Sequence, residues 1–436
     1  MKGSRLQELL AGAPQILPET DRSRPVRQLI RQEILRGVER IQGPICRRSL
    51  EEAGLQKMHL FFPKHSLPLL AAYLSYKTGR AVVQMAKDLC RQEFGLEGEF
   101  YVEAVVVYRV HFPYGCRQFS ESTRVGFLER LKAAYYGAVL SLPETSPRLS
   151  RFFPGYWRPT FRKPYEHGHA PHRDYWFGYA LDGINLWWAI EEVRDENGMV
   201  LFPGTARKTL SYRQRGAPYI AAGQPLPRPR YTPLSAGEFL AMSTNELHGT
   251  RLNESDSTRI VVSIRVSSEK PKFFRLVANQ DYLRLGLFHP ASSLDRGDFD
   301  TLWNPAEDRA HDMWGEPRES GGPVLSARTV RVDKVWPSQE RIGLFDSQLL
   351  RDGGRVIVEL KNRELVVFLT SRGPAGVALQ CPHEGYKIAD GFCDGESVHC
   401  PGHGVKFSLE TGRSLCGLSL STYRCTESDG MVFLEP

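Results

Sequence analysis

The chain changes its hydrophobic period along its length. Residues 22–42, DRSRPVRQLIRQEILRGVERI, place apolar side chains three and four apart, which predicts a helix with one buried face. The stretch around SLPLLAAYLSYKTGRAVVQMAKDLC, residues 66–92, predicts one or two more helices, and ESTRVGFLERLKAAYYGAVLSL, residues 121–142, another. FYVEAVVVYRV, residues 100–110, is rich in β-branched and aromatic residues and predicts a strand. From about 157 to 270 short runs alternate with Gly, Pro, Asp and Asn turns: GINLWWAIEEV, NGMVLFPGT, GEFLAMSTN, TRIVVSIRV. That texture predicts a sandwich or jelly roll. Residues 290–325 hold few aliphatics and many charges, prolines and glycines, and read as a linker. From about 327 the strand pattern resumes with ARTVRVDKV, RVIVELKN and ELVVFLT.

Length makes this a multidomain chain: 436 residues exceed the roughly 100–200 of one domain. The expected division is a helical region over 1–99 packing on a core over 100–289, a linker over 290–325 and a small all-β domain over 326–436. The fold class is mainly β with N-terminal helices. No apolar run approaches the roughly 18–20 residues of a membrane span. The N-terminal apolar patch is broken by Glu8 and Pro14, and no apolar segment follows Arg47-Arg48, so neither export signal is expected and a cytoplasmic protein is. The net charge of +7 comes mostly from scattered arginine. Without a basic block it gives no reason to expect a nucleic-acid partner. Of eight cysteines, five lie in the last 60 residues, which suggests a local metal site in a reducing compartment.

That site is CPHEGYKIADGFCDGESVHCPGHGVKF. Thiolate and imidazole together suit zinc or an iron–sulfur centre. Zinc ligands usually come as C-x-x-C with H-x3–5-H. Here each loop supplies one Cys and one His, as C-x-H and C-x-x-H, sixteen residues apart. That pairing meets the need of a [2Fe–2S] cluster with two Cys on one iron and two His on the other. The stretch resembles the Rieske ferredoxin-type domain over about 110 residues. The resemblance implies Cys381 and Cys400 on one iron, His383 and His403 on the other. Tyr386 and Gly402 stand in the loops where high-potential respiratory members have a disulfide pair, which implies the low-potential branch. Cys393, Cys416 and Cys425 read as buried apolar residues.

A second constellation lies upstream. His172-Arg173-Asp174 is an H-x-D triplet, and His248 follows 76 positions later. Two His and one carboxylate on one face of Fe(II) leave open positions for chemistry. On a strand, H-x-D points both side chains the same way, and the distal His must come from a separate strand. Arg259, eleven residues after His248, has the chemistry to grip a carboxylate with two hydrogen bonds. The set, with WWAIEEVRDENGMVLFPGTARK between its halves, resembles the phytanoyl-CoA dioxygenase family of Fe(II)/2-oxoglutarate oxygenases. That resemblance implies a double-stranded β-helix of the jelly-roll or cupin-like kind. It implies iron on His172, Asp174 and His248, 2-oxoglutarate on Arg259 with Trp187 beside it, and O2 as the oxidant. His167 and His169 read as core polar groups or pocket wall.

The function expected is abstraction of a C–H hydrogen from a small-molecule substrate, with hydroxylation as its outcome. The Rieske domain would deliver electrons to the mononuclear iron, supplied by a ferredoxin or flavin reductase. Ordinary 2-oxoglutarate hydroxylation needs no external electron, so the reductant would either rescue iron stranded as Fe(III) after uncoupled turnover or serve a redox-unbalanced reaction such as epimerisation; both stay open. A Rieske-type oxygenase without 2-oxoglutarate needs D-x2-H-x4-H; His167 and His172 have the spacing, but Pro164 occupies the acid position. A non-enzymatic electron-transfer or sensor protein is a further alternative. The substrate and the oligomeric state, including a possible homo-oligomer, are not readable. Residues 206–233 form a long insertion whose Arg207, Lys208, Arg213, Arg215, Arg228 and Arg230 read as solvated, with an acidic substrate as the alternative.

Overall fold

The computed structural model describes residues 2–96, 98–103, 106–114, 169–212, 218–221, 226–273, 282–285, 302–303, 327–383, 385–401 and 404–436. The helix expected over 121–142, the linker over 290–325 except its residues 302–303, His167, Arg213, Arg215, Gly402 and His403 lie outside the described residues.

Four helices open the chain: α1 Lys2–Leu10, α2 Ser23–Gln42, α3 Pro44–Ala53 and α4 Leu67–Phe94. The 66–92 pattern is one long helix, stopped by Gly95 in the left-handed region. The first half of the β structure comprises β1 Gln15–Leu17, β2 Phe100–Glu103, β3 Val107–His111, β4 Gly183–Ala189, β5 Met199–Leu201, β6 Arg230–Thr232, β7 Phe239–Ser243, β8 His248–Thr250, β9 Arg259–Ser267, β10 Tyr282–Leu285 and β11 Leu302–Trp303. The single strand expected over 100–110 is two strands, β2 and β3, which pair with successive parts of β9.

The main sheet runs β1-β7-β4-β9-β2-β10-β11, with β3 also on β9; a smaller sheet runs β6-β5-β8. Strand alternation decides what each face does. In β9, Ile260, Val262, Ile264 and Val266 point to one side and join Ile184, Leu186 and Trp188 of β4 in a core shared with all four helices. Trp188 stacks on Phe239 there, centroids 5.0 Å apart. The opposite face carries Arg259, Val261, Ser263 and Arg265, and from β4 Asn185 and Trp187. Part of it meets the smaller sheet through Met199, Leu201, Leu240 and Met242. The helices therefore cover the outside of the sheet, and the part of its inside not packed on the smaller sheet carries polar and charged residues such as Asn185, Arg259 and Arg265.

The C-terminal region contains β12 Arg328–Val332, β13 Ile342–Asp346, α5 Ser347–Gly353, β14 Arg355–Leu360, β15 Arg363–Thr370, β16 Gly373–Ala378, β17 Phe392–Cys393, β18 Ser397–His399, β19 Lys406–Ser408, β20 Thr422–Ser428 and β21 Met431–Leu434. A seven-stranded sheet runs β12-β14-β15-β16-β20-β21-β13, and β17-β18-β19 form a separate three-stranded sheet. No helix among the described residues is long and apolar enough to cross a membrane.

Candidate metal centres

The first centre forms where β8 meets the segment before residue 175. His172 and His248 form an isolated antiparallel bridge, with N–H···O distances of 2.8 and 2.9 Å. The H-x-D triplet is not on a regular strand as expected: Asp174 begins a 3-10 turn, Asp174–Phe177. Arg173 is nonetheless extended (φ −104°, ψ 140°), so His172 and Asp174 still project to one side. Gly249 allows the fit. A Cβ there would meet the His169 carbonyl at 2.7 Å.

Both imidazoles have a fixed tautomer. Each Nδ1 faces a carbonyl, His172 to Ala170 at 2.8 Å and His248 to Glu246 at 2.9 Å. A carbonyl only accepts, so Nδ1 carries the proton and Nε2 offers its lone pair. The Nε2 atoms lie 3.9 and 3.7 Å from Asp174 Oδ1. The three ligand atoms sit within 4.8 Å of one another, all from buried residues. Two ligands about 2.1 Å from one ion at a right angle are about 3.0 Å apart, so each imidazole need approach Asp174 Oδ1 by under about 1 Å to seat a divalent ion. Burial pushes the His172 imidazole down to about 3, and burial also lowers His248. Burial acts to raise the Asp174 carboxyl, but Arg265 and the two imidazoles outweigh it and hold it below its ordinary value. All three are thus in metal-binding form at neutral pH.

Around the triad, the register brings together residues remote in sequence. Asn185 pairs opposite Arg265 and His111 opposite Arg259. Asn185 donates to Asp174 Oδ2 at 2.8 Å. Arg265 donates Nε to Oδ2 and Nη2 to Oδ1, both at 3.2 Å, and Nη1 to Glu103 at 3.3 Å. Arg259 is fully buried. It donates to Asn197 O at 2.5 Å and to His111 Nδ1 at 2.7 Å, and its guanidinium lies 5.7 Å from the Trp187 ring centre. Burial, with Arg109 nearby, pushes it down to about 9. Arg259 Nε and Trp187 Nε1 are buried donors without an acceptor among the described residues. Such donors beside a buried cation suit an anionic ligand. His169 accepts from Arg109 at 3.1 Å and meets the Tyr219 hydroxyl at 3.1 Å, a pocket-wall place. Arg207, Lys208, Arg228 and Arg230 are exposed.

The second centre is built from two loops that close alike. The Cys381 N–H donates to Tyr386 O and the Cys381 carbonyl accepts from Gly385 N–H, both 2.8 Å; Cys400 does the same with Val405 and Gly404, at 2.8 and 2.9 Å. The glycines four residues after each cysteine, Gly385 and Gly404, have φ of +73° and +70°, where a side chain would be strained. Both thiols are buried, in a core with Leu379, Ile388, Val398, Val405 and Phe407. Cys393 and Cys425 are half-buried, their thiols pushed up to about 11 and 12 by burial. Cys416 is half-buried as well.

The profile of the Rieske [2Fe–2S] domain matches residues 342–422. That of phytanoyl-CoA dioxygenase (PhyH) matches residues 151–261. The chain thus carries a phytanoyl-CoA dioxygenase (PhyH) domain followed by a Rieske domain, the fusion that its sequence resembles. The mostly β architecture fits both. The chain therefore joins a domain of a non-haem iron oxygenase family to a Rieske electron-transfer domain. No curated protein matches it. Among solved structures, a ferredoxin of Sphingomonas yanoikuyae B1 is 27% identical over 22% of this chain and 98% of its own, with a TM-score of 0.21. The ferredoxin of carbazole 1,9a-dioxygenase from Nocardioides aromaticivorans IC177 is 17% identical over 22% and 99%, TM-score 0.21. NdmA of Pseudomonas putida CBB5, solved with caffeine, is 20% identical over 22% and 32%, TM-score 0.20.

Sequence reasoning missed Arg109, His111, Asn185, Glu103 and Arg265. One signal was available: the R-x-V-x-S-x-R alternation of β9 puts two arginines on the face opposite four β-branched residues.

The two centres are neighbours in space. The Thr250 carbonyl, two residues beyond His248, lies 3.4 Å from where a Cβ of Gly404 would sit. Leu252 belongs to the apolar core of the Cys381 and Cys400 loops. Tyr114 meets the His383 ring edge-on at 4.9 Å, and Phe202 meets Phe392 at 5.1 Å. Lys406 donates to the Tyr231 hydroxyl at 3.0 Å, while Arg251 lies over that ring at 5.0 Å.

Proposed function

We propose that the chain is an Fe(II)/2-oxoglutarate-dependent oxygenase acting on a C–H bond of a small molecule, most simply by hydroxylation, with its own Rieske domain delivering one electron to the mononuclear iron whenever an uncoupled turnover leaves it ferric. His172, Asp174 and His248 hold that iron; Cys381, His383, Cys400 and His403 hold the cluster. Bound there, iron would supply O2 activation and hydrogen abstraction, with 2-oxoglutarate as the source of two electrons. Arg259 pairs with the distal carboxylate of 2-oxoglutarate, and Trp187 closes that side and donates its unmatched N–H. Ala170 and Glu246 hold the imidazoles by their Nδ1 protons, so both lone pairs stay aimed at the metal. Asn185 and Arg265 orient Asp174. The domain division 1–99, 100–289, 290–325 and 326–436 belongs to this reading, with a ferredoxin or flavin reductase as donor and a cytoplasmic setting.

The observation that carries the electron-delivery part is the contact of the Cys400–Gly404 loop with the strand bearing His248. Thr250 is about 7 Å along that strand from His248, so the two centres approach through packed protein within one chain. The same contact favours a second outcome, redox-unbalanced chemistry such as epimerisation, because an attached reductant serves a reaction that leaves the iron one electron short. The test is O2 consumption with candidate substrates: it requires 2-oxoglutarate and yields succinate and CO2. O2 uptake independent of 2-oxoglutarate would sink the reading.

A further inference from the structure

Arg265 is more than a counterion for a buried carboxylate. Its fork covers Asp174 through Nε on Oδ2 and Nη2 on Oδ1, both 3.2 Å, and Oδ1 is the oxygen that faces the two imidazoles. The guanidinium cannot drift. Its central carbon lies 3.5 Å from the centre of the Tyr179 ring, and Nη1 is held by Glu103 at 3.3 Å. Arg265, Asp174 and Asn185 are each about 2% exposed. In such a poorly screened interior a fixed cation bound to a carboxylate lowers the charge that carboxylate can give to a metal. A ferric ion loses more from this than a ferrous one, because its extra positive charge depends more on the anionic ligand and is repelled more by the guanidinium.

We propose that Arg265 is a positioning and tuning residue that raises the reduction potential of the mononuclear iron, so that a ferric ion there is a ready acceptor for the cluster's electron. The proposal rests on the electron-delivery reading above. The step is one electron: the reduced [2Fe–2S] cluster is oxidised, the ferric ion becomes ferrous, and no bond forms or breaks. An electron passes favourably only to an acceptor of higher potential, so a raised potential at the mononuclear iron favours transfer from the cluster. Glu103 sets the strength of the grip by competing with Asp174 for the same guanidinium.

The test is an anaerobic redox titration of the iron-loaded protein with mediators, following the high-spin ferric EPR signal and the cluster signal together. At the poise where wild-type iron is half ferric, Arg265→Gln should raise the ferric-to-ferrous ratio about tenfold, the scale of a lost charge-assisted hydrogen bond. Arg265→Lys keeps the charge without the fork and should raise it less, about threefold. Glu103→Gln removes the competing carboxylate and should move the ratio the opposite way. The cluster's own midpoint should stay fixed. An unchanged ratio in Arg265→Gln or Arg265→Lys, or a Glu103→Gln shift of the same sign as theirs, overturns the proposal. If the Arg265 variants do not fold or load, Glu103→Gln alone decides it. The titration uses mediators and so reads the potential whether or not the cluster supplies the electron. Electron delivery fails separately, as a ferric signal that persists without mediators after the cluster is reduced.

Discussion

The two centres of this chain are assembled in opposite ways. The cluster loops are local. Each is closed within six residues by its own backbone, from Cys381 to Tyr386 and from Cys400 to Val405, with a glycine where the turn demands one. The mononuclear centre is distributed. Its ligand atoms come from residues 172, 174 and 248, and its support from β2, β3, β4 and β9 through strand register. A local site tolerates change elsewhere in the fold. A distributed one depends on the sheet.

Removing a ligand from either centre is the most drastic way to break this comparison. Asp174→Ala should abolish binding of the mononuclear iron and leave the cluster intact. Cys381→Ser should do the reverse. Iron and acid-labile sulfide analysis checks both: about one iron lost in the first, two irons and all sulfide in the second. Zinc without labile sulfide at the C-terminal ligands would show that the loops do not hold a cluster.

Arg259→Ala should act only on the distributed site. The loss of a buried charge-assisted carboxylate pair costs about 2–5 kcal/mol, so the concentration of 2-oxoglutarate for half-saturation should rise at least roughly 30-fold. Titration of 2-oxoglutarate against the anaerobic iron-loaded protein measures it. An unchanged saturation curve would remove Arg259 from the co-substrate site.

This contrast also explains how far the sequence could be read. CPHEG and CPGHG hold their ligand residues and closing glycines within five positions, so spacing alone conveys the loops. His172, Asp174 and His248, whose ligand atoms the fold brings together, could be picked out because residue type and order survive in a linear pattern. Asn185 and Arg265 were not. What makes them partners is that β4 and β9 pair with Asn185 opposite Arg265, and register is set by the whole sheet. Likewise the triplet's extended geometry is held at Arg173 by a bridge between residues 76 positions apart, not by a strand of its own.

The contact between the regions allows a smaller and more selective break. Leu252 is four residues from His248 yet is buried in the apolar core of the cluster loops. Leu252→Ala should cost roughly 2–3 kcal/mol, the low end for a buried leucine because an interface between domains can settle inward. Both centres should still load with iron, while the electron passes from cluster to ferric iron more slowly. Calorimetry and single-mixing EPR separate the two effects. A normal transfer rate in a destabilised variant would place the route elsewhere than beside β8.

The smallest effect tests whether the local loops are as self-contained as their hydrogen bonds indicate. Asp394, in the turn between β17 and β18, accepts from Glu396 N at 3.0 Å and Ser397 N at 2.6 Å, and its carboxylate lies 3.8 Å from His399 Nε2. Burial acts to raise the carboxyl, but His399 and the backbone donors outweigh it, and the carboxyl is held well below its ordinary value. A carboxyl lowered on folding binds its proton more readily in the unfolded chain. It therefore stabilises the fold above the unfolded pKa of about 4, and the contribution is lost as pH falls below that. Asp394→Asn should thus destabilise the C-terminal domain by about 1 kcal/mol at pH 7, with the difference shrinking below about pH 4. Urea unfolding of wild type and variant at pH 7, 5 and 3.5 measures the trend. The mononuclear centre should load iron equally in both proteins at pH 7, because no part of its cage lies in this turn. A loss of mononuclear iron in Asp394→Asn would mean that the β17–β18 turn supports the distributed site through the shared interface, and that the two centres are less independent than their construction implies.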